Sequence, residues 1–205
     1  MIKLGKNRRK WSEVLCLTLF LFIPVHLSPL TANPYNADSV LFDAYQREDM
    51  SVWKEYVERP QAELLYQYGF CGYMVDREKT KALPYVQKLK SEIHNQKAQL
   101  PVGHYQMYQS AVYVYELRLK ESIHPLKAMN LAKEAVQLAP NDPLVLSYYG
   151  TCLFYAPKPF GSKAEALTYF EKAQRFFCAP KWRFCWVRAA NEMYIRQCHE
   201  KLKKQ

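Results

Sequence analysis

Small and large side chains follow a fixed order between residues 124 and 179, and this order constrains the fold more than any other feature of the sequence. Alanines recur at helical spacing before a proline, a glycine follows among bulky residues, and the alanine pattern then returns. The residues of this pattern are Ala128, Ala132, Ala135, Pro140, Leu146, Tyr149, Gly150, Leu153, Ala166, Phe170 and Ala173. Small residues let two helices approach closely, and large residues fill the space beside them. The pattern therefore predicts paired helices joined by turns.

The formal charge of +10 is compatible with nucleic-acid binding only if the basic residues cluster. Five of the 29 basic residues and one of the 19 acidic residues lie in residues 1–32, which leaves a net charge of +6 for the rest. That remainder is scattered, apart from Lys201, Lys203 and Lys204. Scattered charge is typical of a solvated surface. We predict no nucleic-acid partner.

Residues 1–32 have the layout of a secretory signal peptide: a basic start, an apolar run over 14–27 and a short segment that ends at Ala32. The apolar run falls short of the ~20 residues that a membrane helix needs. We therefore predict cleavage after Ala32, no stable membrane span, and a periplasmic or cell-envelope location. An uncleaved N-terminal anchor is the alternative.

Five cysteines follow the leader: Cys71, Cys152, Cys178, Cys185 and Cys198. Export would place them where disulfides persist, and an odd number leaves at least one thiol without an intramolecular partner. Cys185 and Cys198, on one helix, would lie about 20 Å apart, beyond the ~7 Å limit for a disulfide. A bridge from Cys178 to Cys185 stays open, beside the simpler interpretation of buried free thiols.

Every element that the sequence indicates is helical, and no segment alternates as a strand does. Ser51 and Ser162 are expected to cap helices. Two short helices at the start are predicted to cover the open N-terminal end of the stack that the later helix pairs form. The predicted helices span residues 38–49, 52–59, 61–76, 80–96, 104–120, 127–138, 144–155, 163–177 and 181–204.

The order of alanines, glycine and proline resembles the tetratricopeptide repeat (TPR), a helix–turn–helix unit of about 34 residues. The resemblance implies an all-α fold, a right-handed α-solenoid of antiparallel helix pairs. It would contain about three repeats in residues 60–205, N-terminal capping helices in 33–59, and a long C-terminal helix. The turn between Gly150 and Ala166 carries a four-residue insertion, and the chain is similar to divergent repeat proteins exported by Gram-negative bacteria.

In this family the first helix of each repeat lines a concave groove, and we took Gly69, Glu116 and Gly150 as equivalent positions. The resemblance then implies a groove of mostly aromatic residues, joined by Ser147 and Thr151. The groove residues are Tyr66, Phe70, Tyr73, Tyr113, Lys120 and Phe154. The alternative is that Tyr66, Phe70 and Phe154 are buried. Lys158 and Phe160, in the inserted turn, form a second predicted contact site.

The sequence contains no pattern that indicates catalysis. His199-Glu200 begins like a zinc-protease motif, but Lys203 stands where its second histidine would lie. Cys71 lies within a predicted helix with no evident base to activate its thiol. We predict that the protein is not an enzyme, and that it holds neither a metal nor another cofactor.

These observations favour an exported TPR-like interaction module that binds a peptide or protein in its aromatic groove. It would serve as a scaffold or accessory subunit in the bacterial cell envelope. The alternative is a ligand-binding accessory protein of an envelope transporter, which holds a small apolar solute or lipid in the same place. The identity of the partner, the pathway and the oligomeric state stay open.

Overall fold

The computed structural model describes residues 34–121 and 124–203, and the predicted leader 1–32 lies outside them. The regular elements of these residues are all helical, which confirms the prediction of an all-α protein. None of the described helices is long and apolar enough to cross a membrane. The α-helices are α1 (Pro34–Gln46), α2 (Met50–Val57), α3 (Leu64–Arg77), α4 (Lys79–Asn95), α5 (His104–Leu119), α6 (Pro125–Leu138), α7 (Pro143–Tyr155), α8 (Lys163–Phe177) and α9 (Trp186–Leu202).

Side-chain caps fix where several of these helices begin. The Ser162 hydroxyl accepts a hydrogen bond of 3.3 Å from the Glu165 amide at the start of α8, as predicted. At α2 the expected cap is wrong by two residues, because the Asp49 carboxylate accepts from the Ser51 amide at 3.2 Å. The α7 helix starts on Asp142, whose carboxylate accepts from the amides of the two residues after Pro143.

The helices pack mainly against their neighbours in sequence, and the odd-numbered ones also contact one another in turn. Helix α3 contacts α5, α5 contacts α7, and α7 contacts α9. Helices α4, α6 and α8 pack between them from the outside. The result is an inner layer of α3, α5, α7 and α9 and an outer layer of α4, α6 and α8.

The pattern of small and large residues lies in the core between these layers. Ala132, Ala135, Ala166 and Ala173 are completely buried. Gly150 shows why small residues are needed, because a Cβ at that position would lie 2.8 Å from the Phe170 ring. The sequence pattern therefore reports close helix packing, as expected.

The first and last helices meet. The Phe42 ring of α1 lies 6.2 Å from Phe184, just before α9, and the Tyr45 ring lies 5.9 Å from Trp186. Trp53 of α2 lies 5.7 Å from the same Trp186 ring. The N-terminal helices therefore cover the start of the array and also reach its end.

Candidate ligand-binding cavity

A cavity of about 1330 Å³ opens on the inner layer of helices. Ligand pockets in proteins commonly measure about 300–1,000 Å³, so this one is large. Its edge carries exposed apolar side chains, among them Leu126, Tyr155 and Phe160. The cavity is thus open to solvent through an apolar mouth.

Aromatic residues dominate the wall, and most of them come from the four inner helices. These residues are Tyr68 and Tyr73 on α3, Tyr115 on α5, Tyr148 and Tyr155 on α7, and Trp186 and Tyr194 on α9. Tyr45 and Trp53 add two rings from the N-terminal helices. Four methionines also reach the wall: Met50, Met107, Met129 and Met193. Such a surface suits an apolar ligand with a flat face.

Gly69 lets two tryptophans converge on the wall. A Cβ at Gly69 would lie 2.7 Å from the Trp53 ring and 2.8 Å from the Trp186 ring. The two indoles lie 5.7 Å apart in an edge-to-face contact, and the Tyr68 ring lies 5.6 Å from Trp186. The glycine at this position therefore makes room for a packed aromatic cluster.

Hydrogen bonds orient two of the tyrosines on the wall. The Ser110 hydroxyl donates to the Ala128 carbonyl at 2.6 Å, so the Tyr148 hydroxyl, 2.8 Å away, donates to Ser110. The Tyr115 hydroxyl donates to the Tyr68 carbonyl at 3.0 Å. Burial raises the pKa values of Tyr148 and Tyr115 well above the usual value for tyrosine. Both side chains are therefore neutral near pH 7, and this part of the wall carries no charge.

Charge is confined to a few residues of the wall. Among the described residues that line the cavity, the charged ones are Glu48, Asp76, Arg77 and Arg118. Arg118 forms an ion pair with Asp76, which joins the last turns of α3 and α5. The wall is otherwise apolar or neutral.

The structure divides the predicted groove residues between the cavity and the core. Tyr73 lines the cavity, as does Phe160 of the inserted turn. Tyr66, Phe70 and Phe154 are instead 3%, 1% and 1% exposed, and they lie in the core rather than on the wall. Tyr66 is covered by Trp53 at 5.4 Å, which matches the alternative that the N-terminal helices bury it.

The other predicted contact residues do not line this cavity. Tyr113 is half-buried beneath the Lys127 ammonium, which lies 4.7 Å from its ring centre. Lys120 caps the end of α5 and is exposed. Lys158 is exposed on the inserted turn. The structure therefore does not bring Tyr113, Lys120 and Lys158 together with Tyr73.

The difference begins on α3, where the wall includes Leu65, Tyr68, Gly72 and Tyr73 and leaves Tyr66 and Phe70 in the core. The spacing of wall residues on α3, α5 and α7 makes Ala111 and Tyr148 the counterparts of Gly69. The equivalents predicted from the sequence, Glu116 and Gly150, lie five and two residues further along these helices. Of the three α7 residues predicted for the groove, Phe154 is buried in the core. Ser147 and Thr151 line the cavity because they lie near the true face.

The five described cysteines are all free thiols, so the possible bridge from Cys178 to Cys185 is absent. Cys152 reaches the cavity wall, and burial raises the pKa of its thiol to about 11. Burial also raises the pKa of Cys71 to about 12. Both thiols are therefore protonated near pH 7. Within residues 34–121 and 124–203, no group of three or more histidine, cysteine or acidic side chains is placed to hold a metal ion.

Comparison with known proteins adds one structural likeness. No protein-family model matches the chain, and no curated protein sequence does. The fold is similar to that of the HusA haemophore from Porphyromonas gingivalis, with a TM-score of 0.61 and 13% sequence identity. The match covers 85% of this chain and 96% of the haemophore chain. At this identity, the two chains share a fold.

Proposed function

We propose that this protein binds a flat, largely apolar small molecule in the aromatic cavity, and that the ligand belongs to the tetrapyrrole class. The observation that carries the proposal is the cavity itself, about 1330 Å³ in volume and lined by aromatic rings from all four inner helices. Aromatic rings favour offset stacking and edge-to-face contact with a flat ring system. Burial of a large apolar ligand there would contribute about 25 cal/mol for each Å² removed from water.

The side chains on the wall are compatible with a porphyrin, with or without iron. Tyrosine, cysteine and methionine are among the residues that bind haem iron in proteins. All three types are found on the wall, and Tyr148 and Cys152 lie one helical turn apart on α7. Histidine is not among the described residues that line it. The likeness to a haemophore supports the same class of ligand.

The test is a titration with protoporphyrin IX and with haem, followed by absorbance and by quenching of tryptophan fluorescence. A Thr151→Trp substitution would place a ring inside the cavity and should weaken binding by about tenfold, or about 1.4 kcal/mol. Thr168→Trp is the matched control. The hydroxyls of both threonines donate to the carbonyl four residues earlier, but Thr168 lies on α8 and outside the cavity. Equal binding by the two variants would contradict the proposal.

A peptide or protein segment is the second candidate, and the exposed apolar mouth favours it. Leu126, Tyr155 and Phe160 are 58%, 67% and 54% exposed around an opening on the inner layer. Aromatic residues are frequent anchors at protein interfaces. Native mass spectrometry of the protein purified from its own envelope separates the candidates. A bound mass below about one kilodalton supports the small ligand, whereas a polypeptide supports the groove prediction.

We also retain the architecture and location predicted from the sequence as proposals. The contacts of each helix with the next, and of the inner helices with one another, support a TPR-type solenoid of helix pairs. The signal-like layout of residues 1–32 supports export to the cell envelope. Binding rather than catalysis is consistent with the protonated thiols on and beside the wall. Sequencing the N-terminus of the mature protein tests export, with Asn33 as the expected first residue.

A further inference from the structure

Two arginines lie on the wall at the ends of α3 and α5, and they bear on the chemistry of the ligand. On α3 the wall runs from Leu65 through Tyr68 and Tyr73 to Arg77, a length of about 18 Å at 1.5 Å per residue. On α5 it runs in the same way to Arg118. The arginines lie in the last turns of the two helices, and the side chains before them are mostly apolar or aromatic.

One of these arginines has no carboxylate partner. Among the described residues, no aspartate or glutamate lies within ion-pair distance of the Arg77 guanidinium. The neighbouring acids are engaged elsewhere, because Glu78, between α3 and α4, pairs with Lys81 at 2.8 Å, and Glu116 of α5 pairs with Lys90 at 2.8 Å. Arg77 is therefore free to bind an anion that enters the cavity.

The second arginine, Arg118, forms an ion pair with Asp76, and a carboxylate of the ligand can replace Asp76 in it. The side chains of Arg118 and Asp76 are 48% and 51% exposed. Ion pairs this exposed contribute at most about 1 kcal/mol. A carboxylate that binds both arginines would form charge-assisted hydrogen bonds, which are roughly twice as strong as neutral ones. The other carboxylate on the wall, Glu48, opposes such an anion by repulsion.

We infer that the ligand of this cavity is an amphipathic carboxylic acid, with its carboxylate at Arg77 and Arg118 and its apolar body against the aromatic wall. The inference rests on the proposed binding of a small apolar molecule in this cavity, and it concerns the polar end of that ligand. Both a porphyrin with acidic side chains and a long-chain fatty acid have this chemistry. Arginines in the last turn of a helix also interact favourably with its dipole, so the test must separate ligand binding from stability.

The experiment compares each acid with its ester, which keeps the apolar body and removes the charge. The probes are protoporphyrin IX and its dimethyl ester, and palmitic acid and methyl palmitate. Trp53 and Trp186 line the cavity and give an intrinsic fluorescence signal for all four. We expect the protein to bind the preferred acid about tenfold more tightly than its ester, as charge-assisted hydrogen bonds predict. The pair that shows this difference identifies which kind of acid is bound.

Three variants test the residues. Arg77→Gln combined with Arg118→Gln should weaken binding of the acid about tenfold. The ratio of the affinities for the acid and its ester should therefore fall. Asp76→Asn should have the opposite effect and strengthen binding of the acid, because it releases Arg118. Arg175→Gln, on the exposed surface of α8, is the control and should change neither affinity.

Two results would overturn the inference and leave the proposed function in place. One is equal affinity of the unmodified protein for acid and ester. The other is an equal loss of acid and ester binding in the double arginine variant, which would indicate a structural role. If neither porphyrin binds, the proposed tetrapyrrole function fails, whereas a preference for palmitic acid over its ester would still support this inference. If none of the four probes binds, both fail.

Discussion

The Trp186 ring lies against Gly69 so closely that a Cβ on this glycine would be 2.8 Å from it. The same Cβ would meet the Trp53 ring at 2.7 Å on its other side. One residue of α3 therefore sets the distance between the N-terminal helices and α9.

Gly69→Ala is expected to destabilise the protein by about 1–3 kcal/mol, because two stiff indole rings must shift to admit one methyl group. Urea unfolding followed by circular dichroism measures the change. Gly72→Ala is the matched control, since its Cβ would meet the Tyr115 hydroxyl at 3.1 Å and no ring carbon closer than 3.8 Å. A Gly69→Ala protein as stable as the Gly72→Ala protein would show that the rings are not tightly held.

Tyr115→Phe removes the hydrogen bond from α5 to the Tyr68 carbonyl on α3. We expect a loss of about 1 kcal/mol in the free energy of unfolding, the usual contribution of one such bond. The control is Tyr113→Phe, because the Tyr113 ring packs under Lys127 on the far side of α5. Denaturant titrations of both variants give the comparison, and equal stabilities would contradict the role assigned to the Tyr115 hydroxyl.

Asp142 should make stability depend on pH in the acidic range. Burial acts to raise the pKa of this carboxyl, but hydrogen bonds from His104 and from the Val145 and Leu144 amides lower it below its usual value. Because the pKa is lower in the folded protein, the stabilisation is present above the unfolded value of about 3.9 and is lost as the pH falls through the folded value.

Asp142→Ala is therefore expected to cost about 1 kcal/mol at pH 7 through loss of the α7 cap. The difference in free energy of unfolding from the unmodified protein should shrink as the pH falls below about 4. Unfolding by urea at a series of pH values measures it. Asp43→Ala, at an exposed position on α1, is the control and should show a smaller difference. If the difference in free energy of unfolding between Asp142→Ala and the unmodified protein does not change with pH, the charge of Asp142 is not what stabilises the protein.

Cys178 should be the most reactive of the five described thiols, because it is exposed while Cys71, Cys185 and Cys198 are buried and Cys152 is half-buried. Burial raises the pKa of Cys185 to about 11, which lowers its reactive thiolate fraction further. Labelling of a chain that starts at Asn33 with a chromogenic disulfide at pH 8 should show one fast thiol. Cys178→Ser should abolish that phase, and a fast phase that persists would show that one of the other four thiols is accessible to the reagent.

Local signals predicted most of the helices. Pro143 is the first residue of α7, and Ser162 caps the start of α8. Both signals act on the backbone of residues close in sequence, so they can be recognised without knowledge of the tertiary fold. The predicted helix over 181–204 was partly wrong. Residues Pro180–Trp182 form a 3-10 turn, in which the Trp182 ring packs at 5.7 Å on Phe177, and α9 begins only at Trp186. That contact links residues of two different elements, so apolar spacing along the last segment does not reveal it.

The cavity was harder to predict, because its wall depends on how three or four helices are rotated about their axes. Tyr105, Tyr108, Val112 and Tyr115 recur at helical spacing, a pattern that predicts one interior face, and Tyr115 is buried. The sequence did not reveal that the same residue borders an open cavity. A residue in the core and a residue on a cavity wall both lie on the apolar face of their helix, so they produce the same spacing in the sequence. Tyr148 and Trp186 were missed for the same reason.

The contacts between Phe42 and Phe184 and between Tyr45 and Trp186 have a consequence for folding. In an open helical array, stability is close to a sum of units that unfold one at a time from either end. Here the two termini of the described chain stabilise each other, so fraying of α1 removes contacts that hold α9. Loss of either end should therefore weaken the other, and the array should melt in a single cooperative transition rather than unit by unit.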